Sequence, residues 1–238
     1  MKKFKKGLGL FAMLLSLCLV LIACSTHKRD LRSKPYVKEV FTMGTYVKIT
    51  SYDKGHEKDV ASALAIAKDY DKKTSVNQSG SELDEVNDQS GIKPVKVSKS
   101  VYKLLKEAYD YSDKQTGFDM MIGAISSLWH IGFDDARKPS QSEIDQALPL
   151  VSHRLIKFDD KKQTVYITQK GAKIDLGAIT KGYVSDRMTD YLKEHGVTTA
   201  IVDLGSSSLS LIGHSYRGDN EPLSLIHISE PTRLGMIS

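Results

Sequence analysis

The chain has 238 residues, of which 40% are hydrophobic and 26% are charged, and its formal net charge is +5. This composition excludes a disordered chain and a protein embedded wholly in a membrane, and the length suits one large domain or two small ones. Four lysines lie within residues 1–23, and the 30 basic and 29 acidic side chains that remain exclude nucleic-acid binding through a broad basic surface.

The N-terminus has the pattern of a secretory signal. A lysine-rich start precedes an uncharged apolar run over residues 7–23. The run ends at Cys24, and Leu21-Ile-Ala-Cys24 is similar to a bacterial lipobox. We therefore expect a signal peptide over residues 1–23, lipidation of Cys24 and an extracytoplasmic protein anchored to the cell membrane. A plain transmembrane anchor is the alternative, although the run is short for a full span. The polar residues 24–35 predict a tether.

Strand and helix signals fill residues 36–222, which we expect to form one α+β domain. Both cysteines precede this body, which excludes a disulfide framework or a cysteine-rich metal site in it. Alternation predicts a strand or bent hairpin over residues 37–51, with an interruption at Gly44. Helical spacing or caps predict helices over residues 56–73, 98–117, 140–148 and 179–195. Further strands are predicted over residues 155–158, 164–168, 172–176, 197–204 and 209–212, and residues 74–91 are predicted to form a loop.

Residues 173–183 carry the clearest chemical signal. A strand is expected to end at Asp175, Gly177 permits a tight turn, and a helix follows at once. Helix N-termini present unpaired N–H groups that suit a phosphate, and Lys181 in the first turn could add its positive charge. A surface helix with a solvated lysine is the alternative that these residues leave open.

The same segment resembles the central signature of the ApbE family of FAD:protein FMN transferases. Three further segments match family motifs in the same order, namely Phe41-Thr-Met-Gly-Thr45, Ser81-Glu-Leu83 with Asn87, and residues 117–129 with their Gly-Phe-Asp start. Residues 202–205 match the beginning of a later family strand. The sequence departs from the family at Ala124, Ser206 and Ser207, and none of these changes removes an ionisable group.

The resemblance implies a fold and a site. The fold would be an ApbE-type, T-fold-like mixed sheet with packed helices, incomplete at its C-terminus. FAD would be bound by Met43, Phe118, Asp119, Asp175 and Lys181, and the Ala178 carbonyl would be one ligand of Mg²⁺. Each role has a structural alternative: Met43 and Phe118 could belong to the core, and Asp119 could cap a helix.

The resemblance also implies a reaction. A threonine hydroxyl of a partner flavoprotein would attack the FMN-side phosphorus of FAD, with Mg²⁺ as cofactor, and AMP would leave. The scattered histidines form no metal-binding pair and favour no other enzyme class. A surface lipoprotein that binds FAD or another nucleotide without catalysis is the main alternative function.

The end of the chain departs from the family pattern. Residues 223–238 match no family segment, and we interpret them as a non-native tail, with a divergent C-terminus as the alternative. The family's remaining metal ligands and the base for the threonine proton are expected beyond this point. The catalytic residues therefore stay unassigned, and we expect the chain as printed to be inactive in FMN transfer.

Overall fold

The computed structural model describes residues 31–76, 80–114, 117–132 and 134–213, and it confirms the α+β class. The described strands are β1 (Leu31–Thr42), β2 (Thr45–Asp53), β3 (Val95–Lys96), β4 (Ile156–Asp159), β5 (Thr164–Ile167), β6 (Ala200–Leu204) and β7 (Leu209–Ile212). The described α-helices are α1 (Glu57–Thr74), α2 (Glu82–Asp88), α3 (Lys99–Asp113), α4 (Gly123–Trp129), α5 (Gln141–Ala147) and α6 (Thr180–Glu194).

The larger sheet has the order β1-β2-β6-β7 and is antiparallel throughout. The hairpin predicted over residues 37–51 is confirmed as β1 and β2, and its turn lies at Met43 and Gly44. Side chains of β2 are buried at every second position, including Val47 and Ile49. Because successive side chains of a strand point to opposite faces, one face of this sheet is buried in the core.

Helices α1 and α6 pack on that buried face. The helical spacing over residues 56–73 predicts one apolar side, and the residues on that side of α1 are all buried, namely Val60, Ala63, Leu64, Ala67 and Tyr70. Tyr70 meets Tyr183 of α6 edge to face, with 5.7 Å between the ring centroids. Burial, and then the hydrogen bond with Tyr183, raise the pKa of the Tyr70 hydroxyl. Because α1 and α6 pack against each other, the C-terminal end of α1 and the N-terminal end of α6 have fixed positions, and both ends line the cleft described below.

The smaller sheet has the order β3-β5-β4, and its central strand β5 contacts α2. Phe158 of β4 meets Tyr102 and Tyr109 of α3 edge to face. Ser98, the first residue of the range predicted for this helix, caps α3, because its hydroxyl accepts a hydrogen bond from the Val101 N–H. The apolar residues Val101, Leu104, Leu105 and Ala108 of α3 are buried as well. This helix ends at Asp113, however, four residues before Gly117.

Two predicted elements are wrong. Residues 82–88 form helix α2 rather than a loop, because Ser81 caps the helix and Leu83 and Val86 are buried. Residues 172–176 lie outside the strands and form an irregular segment with one isolated bridge between Lys173 and Ile122.

The expected signal peptide, Cys24 and residues 223–238 lie outside the described residues. Strand β1 begins at Leu31, which lies within the tether predicted over residues 24–35. Of the helices in the described part of the chain, none combines the length and the apolar character that a membrane crossing requires.

Candidate functional site

A cleft of about 940 Å³ opens beside the N-terminus of α6. This volume lies at the upper end of the range of small-molecule sites in proteins. The walls are the β1–β2 turn, the C-terminal end of α1, helix α4 and the segment over residues 173–181. The lining includes the residues Phe41, Met43, Asp71, Asn87, Ser126, His130, Lys173, Asp175, Thr180 and Lys181.

Asp175 presents a carboxylate to this cleft. Its Oδ2 accepts a hydrogen bond from the Ser126 hydroxyl at 2.6 Å, and its Oδ1 accepts one from the Gly177 N–H at 2.8 Å. An ionised carboxylate has about four acceptor positions, so two bonds leave capacity for a ligand. Asp175 can therefore accept an N–H or O–H group of a bound molecule from a fixed orientation.

The backbone before Asp175 is held by the Asn87 side chain and by the neighbouring segment that contains Met120 and Gly123, instead of by a sheet. The Asn87 amide donates to the Ile174 carbonyl at 3.0 Å and accepts from the Ile174 N–H at 2.7 Å. The Asp175 N–H donates to the Met120 carbonyl at 2.9 Å. Gly123 permits the close approach of the two segments, because a Cβ there would lie 2.7 Å from the Lys173 carbonyl oxygen. These contacts satisfy backbone groups that a ladder would otherwise satisfy.

The N-terminus of α6 forms the next part of the wall. No side chain caps this helix, and its first turn contains no acidic residue. Thr180 and Lys181 both line the cleft. The positive end of the helix dipole and the lysine ammonium favour an anion there, and a phosphate group suits such a site.

The cleft residues can also be compared with the ligands that a magnesium ion requires. Within the described ranges, no group of three or more His, Cys, Asp or Glu side chains is arranged to hold a metal ion. Mg²⁺ is usually bound by carboxylates together with substrate phosphates. The exposed Ala178 offers at most a carbonyl, so the described residues do not form a magnesium site by themselves.

The β1–β2 turn forms another part of the cleft wall. Met43 and Gly44 both have positive φ, at 55° and 70°, and for a residue with a side chain this conformation costs roughly 1–2 kcal/mol. Oδ2 of Asp71 accepts hydrogen bonds from the Thr42 hydroxyl at 2.7 Å and from the Met43 N–H at 2.8 Å. The turn is thereby attached to the end of α1.

The structure brings together three of the residues expected to bind FAD, namely Met43, Asp175 and Lys181. Phe118 and Asp119 are not among the described residues that line the cleft. Phe118 packs against the hydrophobic core, and Asp119 accepts hydrogen bonds from the N–H groups of Met121 and His153, at 2.8 and 3.0 Å. Their roles in flavin binding stay predictions.

Asp71 and Ser126 were not predicted from the sequence. Asn87 belongs to a segment that resembles a family motif, but no role was predicted for it. The contacts of Asp71 and Ser126 join residues 28 to 49 positions apart in the chain, and those of Asn87 join residues 87 positions apart. Local patterns cannot reveal such pairs.

Comparisons with known proteins identify the family of the chain. A sequence model described as the ApbE family matches residues 43–237. A protein named FAD:protein FMN transferase from Treponema pallidum is 32% identical over 190 residues, which are 76% of this chain and 52% of the relative. A relative of the same name from Klebsiella pneumoniae is 31% identical over 177 residues, covering 74% of this chain and 55% of the relative. The chain thus spans about half the length of these curated relatives.

Solved structures give the same result for the fold. The ApbE protein of Thermotoga maritima superposes with a TM-score of 0.70 at 28% identity, over 77% of this chain and 60% of that protein. The flavin transferase ApbE of Vibrio cholerae gives a TM-score of 0.68 at 22% identity, over 77% and 62% of the two chains, and shows the fold alone. The matched range includes residues 223–237, most of the segment interpreted from the sequence as a non-native tail. The motif order and the fold agree with the family match, and the chain belongs to the ApbE family.

Proposed function

We propose that this protein acts as an FAD:protein FMN transferase. The observation that carries the proposal is the cleft, in which the Asp175 carboxylate lies beside the uncapped N-terminus of α6. FAD has hydroxyl and N–H donors as well as a pyrophosphate, so these two features suit different parts of one molecule. The names of the relatives from Treponema pallidum and Klebsiella pneumoniae support the same activity.

The proposed reaction joins FMN to a threonine of a partner flavoprotein. The threonine oxygen forms a bond to the FMN-side phosphorus, the bond from that phosphorus to the bridging oxygen breaks, and AMP leaves. Lys181 and the N-terminus of α6 bind the negatively charged phosphates, and Asp175 orients FAD through a hydrogen bond. The threonine proton needs a base, and we assign none among the described residues.

Magnesium belongs to this proposal only in a limited way. The family resemblance implies Mg²⁺ at the Ala178 carbonyl, but the described side chains do not form a metal-binding group. An ion that arrives with the pyrophosphate would neutralise its charge. The roles proposed for Asp175, Lys181 and α6 do not depend on that ion.

Localisation is a further part of the proposal. The sequence Leu21-Ile-Ala-Cys24 after an apolar run supports a protein that is lipid-anchored on the outer side of the cell membrane and meets its acceptor there. Cys24→Ser should abolish incorporation of labelled fatty acid, whereas Cys18→Ser should leave it intact. Labelling that persists in Cys24→Ser would remove the lipid anchor from the proposal.

Transfer is tested by mass spectrometry of an acceptor and by assay of released AMP. Because the chain spans about half the length of its relatives, the assay compares the chain with a chimera that continues after residue 213 with the corresponding C-terminal part of the Treponema pallidum relative. With FAD, Mg²⁺ and a threonine-bearing acceptor protein, we expect the chimera to release AMP and attach FMN. The same acceptor with that threonine replaced by alanine is the control. A chimera that binds FAD but releases no AMP would favour the non-catalytic binding function.

A further inference from the structure

The β1–β2 turn contains an unusual residue at its tip. Two-residue hairpin turns in which both residues have positive φ favour Asn, Asp or Gly at the first position. This chain has Met43 there, with a φ of 55°, followed by Gly44. Residues that break a local preference often do so at functional sites. Met43 lines the cleft, so the exception lies where a ligand would bind.

Asp71 is the side chain that holds this turn from another element. It lies in the last turn of α1, and one carboxylate oxygen accepts from both the Thr42 hydroxyl and the Met43 N–H. Thr42 is only 5% exposed, so water competes little for these bonds. Because α1 is packed into the core through its buried face, the carboxylate sets the position of the turn relative to the rest of the cleft.

Strand pairing alone would keep the hairpin together. Cross-strand pairs run from Thr42 and Thr45 at the turn to Leu31 and Asp53, with a register shift only after Tyr36, and β2 also pairs with β6. The two bonds of Asp71 are therefore not needed to align the strands. They fix the direction in which the turn, with the Met43 side chain, meets the cleft.

We propose that Asp71 is a positioning residue, which acts through Thr42 and Met43 to hold the methionine side chain against bound FAD. This inference rests on the proposed function, since it takes FAD as the ligand of the cleft. Asp71 also lines the cleft itself, so a direct contact between its carboxylate and the ligand is the competing explanation. The experiments below separate the two.

The first experiment needs no flavin. The protein is labelled with ¹³C-methyl methionine, and the Met43 signal is assigned from Met43→Leu. Asp71→Ala and Thr42→Val should both shift this signal, whereas Thr42→Ser keeps the hydroxyl and should not. Asp69→Ala is the matched control, because Asp69 lies on the same helix and pairs with Lys73. A Met43 signal that is unchanged in Asp71→Ala overturns the inference.

The second experiment is a double-mutant cycle read by FAD titration. Asp71→Ala and Met43→Ala should each weaken FAD binding by about tenfold, and Asp71→Asn, which keeps an acceptor oxygen, by roughly threefold. If Asp71 acts through Met43, adding Asp71→Ala to Met43→Ala should change affinity by less than about twofold. Thermal melts of each variant confirm that it is folded, and Thr42→Val serves as the milder variant.

Three outcomes would contradict parts of this account. Additive losses in the cycle mean that Asp71 contacts FAD directly and is not a positioning residue. Unchanged FAD affinity in a folded Asp71→Ala means that the bonds serve stability alone. A wild-type protein that binds no FAD overturns the proposed function and the flavin part of this inference together, while the methyl measurement still decides whether Asp71 sets the turn.

Discussion

Two neighbouring segments of the molecule, residues 117–123 and 173–177, present a carboxylate in contrasting ways. They run side by side, because Lys173 bridges to Ile122 and the Asp175 N–H donates to the Met120 carbonyl. Asp175 lines the cleft, whereas Asp119 lies outside the lining and accepts hydrogen bonds from two backbone N–H groups. Both carboxylates belong to motifs that resemble those of one family.

The difference shows that the surrounding donors decide what each carboxylate can do. Asp119 satisfies N–H groups of Met121 and His153 and also meets the His153 ring at 3.2 Å. Removing it would leave backbone donors without partners, which costs stability. Asp175 receives one hydroxyl and one N–H beside an open cleft. Its remaining acceptor capacity faces a site that a ligand can enter.

Asp175→Ala should therefore have the largest effect on FAD binding. Loss of a hydrogen bond to a charged group costs about 1.5–3 kcal/mol, which corresponds to a decrease in affinity of roughly tenfold or more. Titration of FAD into the purified protein measures this change. An affinity equal to that of the wild type would remove Asp175 from the site.

Asp119→Ala should chiefly lower stability. The variant leaves two partly buried N–H groups unpaired, and we expect the free energy of unfolding to fall by about 1–3 kcal/mol. Chemical denaturation measures the loss, with Asp186→Ala on the exposed side of α6 as a control that should change stability by less than about 0.5 kcal/mol. A loss of FAD affinity as large as that of Asp175→Ala would end the contrast between the two carboxylates.

Ser126→Ala tests how Asp175 is oriented. The Ser126 hydroxyl donates to Asp175 at 2.6 Å, while the adjacent Ser127 donates to the Ala124 carbonyl instead. We expect Ser126→Ala to weaken FAD binding by roughly threefold, since one hydrogen bond contributes about 0.5–1.5 kcal/mol. Ser127 also lines the cleft, so Ser127→Ala is the matched control and should bind FAD like the wild type. Equal losses in both variants would contradict the orienting role.

Glu143→Gln should have the smallest effect, because the hydrogen bonds of this third carboxylate are exposed to solvent and go to Arg137 and Ser140, which belong to neither segment. Hydrogen bonds from Arg137, and then from Ser140, lower the pKa of Glu143 to about 2 from its ordinary value of 4.5. A lowered carboxyl pKa contributes stability above the ordinary value, and that contribution is lost as the pH falls towards the folded-state value. The difference in Tm between wild type and variant should thus be small at pH 7 and shrink between pH 4.5 and 2. A difference that grows over this interval would contradict the assignment.

The regular elements of the fold could be predicted from the sequence because their signals are local. The buried faces of α1 and α3 repeat with the helical period over about three turns, and Ser98 and Ser140 are caps that precede their helices directly. Helix α2 was missed because seven residues with two buried side chains are too short to show a period. Residues 172–176 were taken for a strand because apolar content cannot reveal whether a pairing strand exists.

The residues of the site also separate into those that a local motif predicts and those that only the fold brings together. Motif resemblance identified Asp175, Lys181 and Met43, which do meet at one cleft. It also selected Phe118 and Asp119, which are not among the described residues that line the cleft, and their roles in flavin binding stay predictions. Asp71 and Ser126 depend on contacts between distant parts of the chain, and only the folded arrangement reveals them.

The most direct test is an experimental structure of the protein with FAD bound. The account predicts that FAD lies in the cleft, with a phosphate oxygen within hydrogen-bond distance of the first turn of α6 or of Lys181. Asp175 should accept a hydrogen bond from the ligand, and the Met43 side chain should contact it. FAD bound elsewhere, or bound against Asp119 with Asp175 untouched, would contradict the central claim that this cleft is the flavin site.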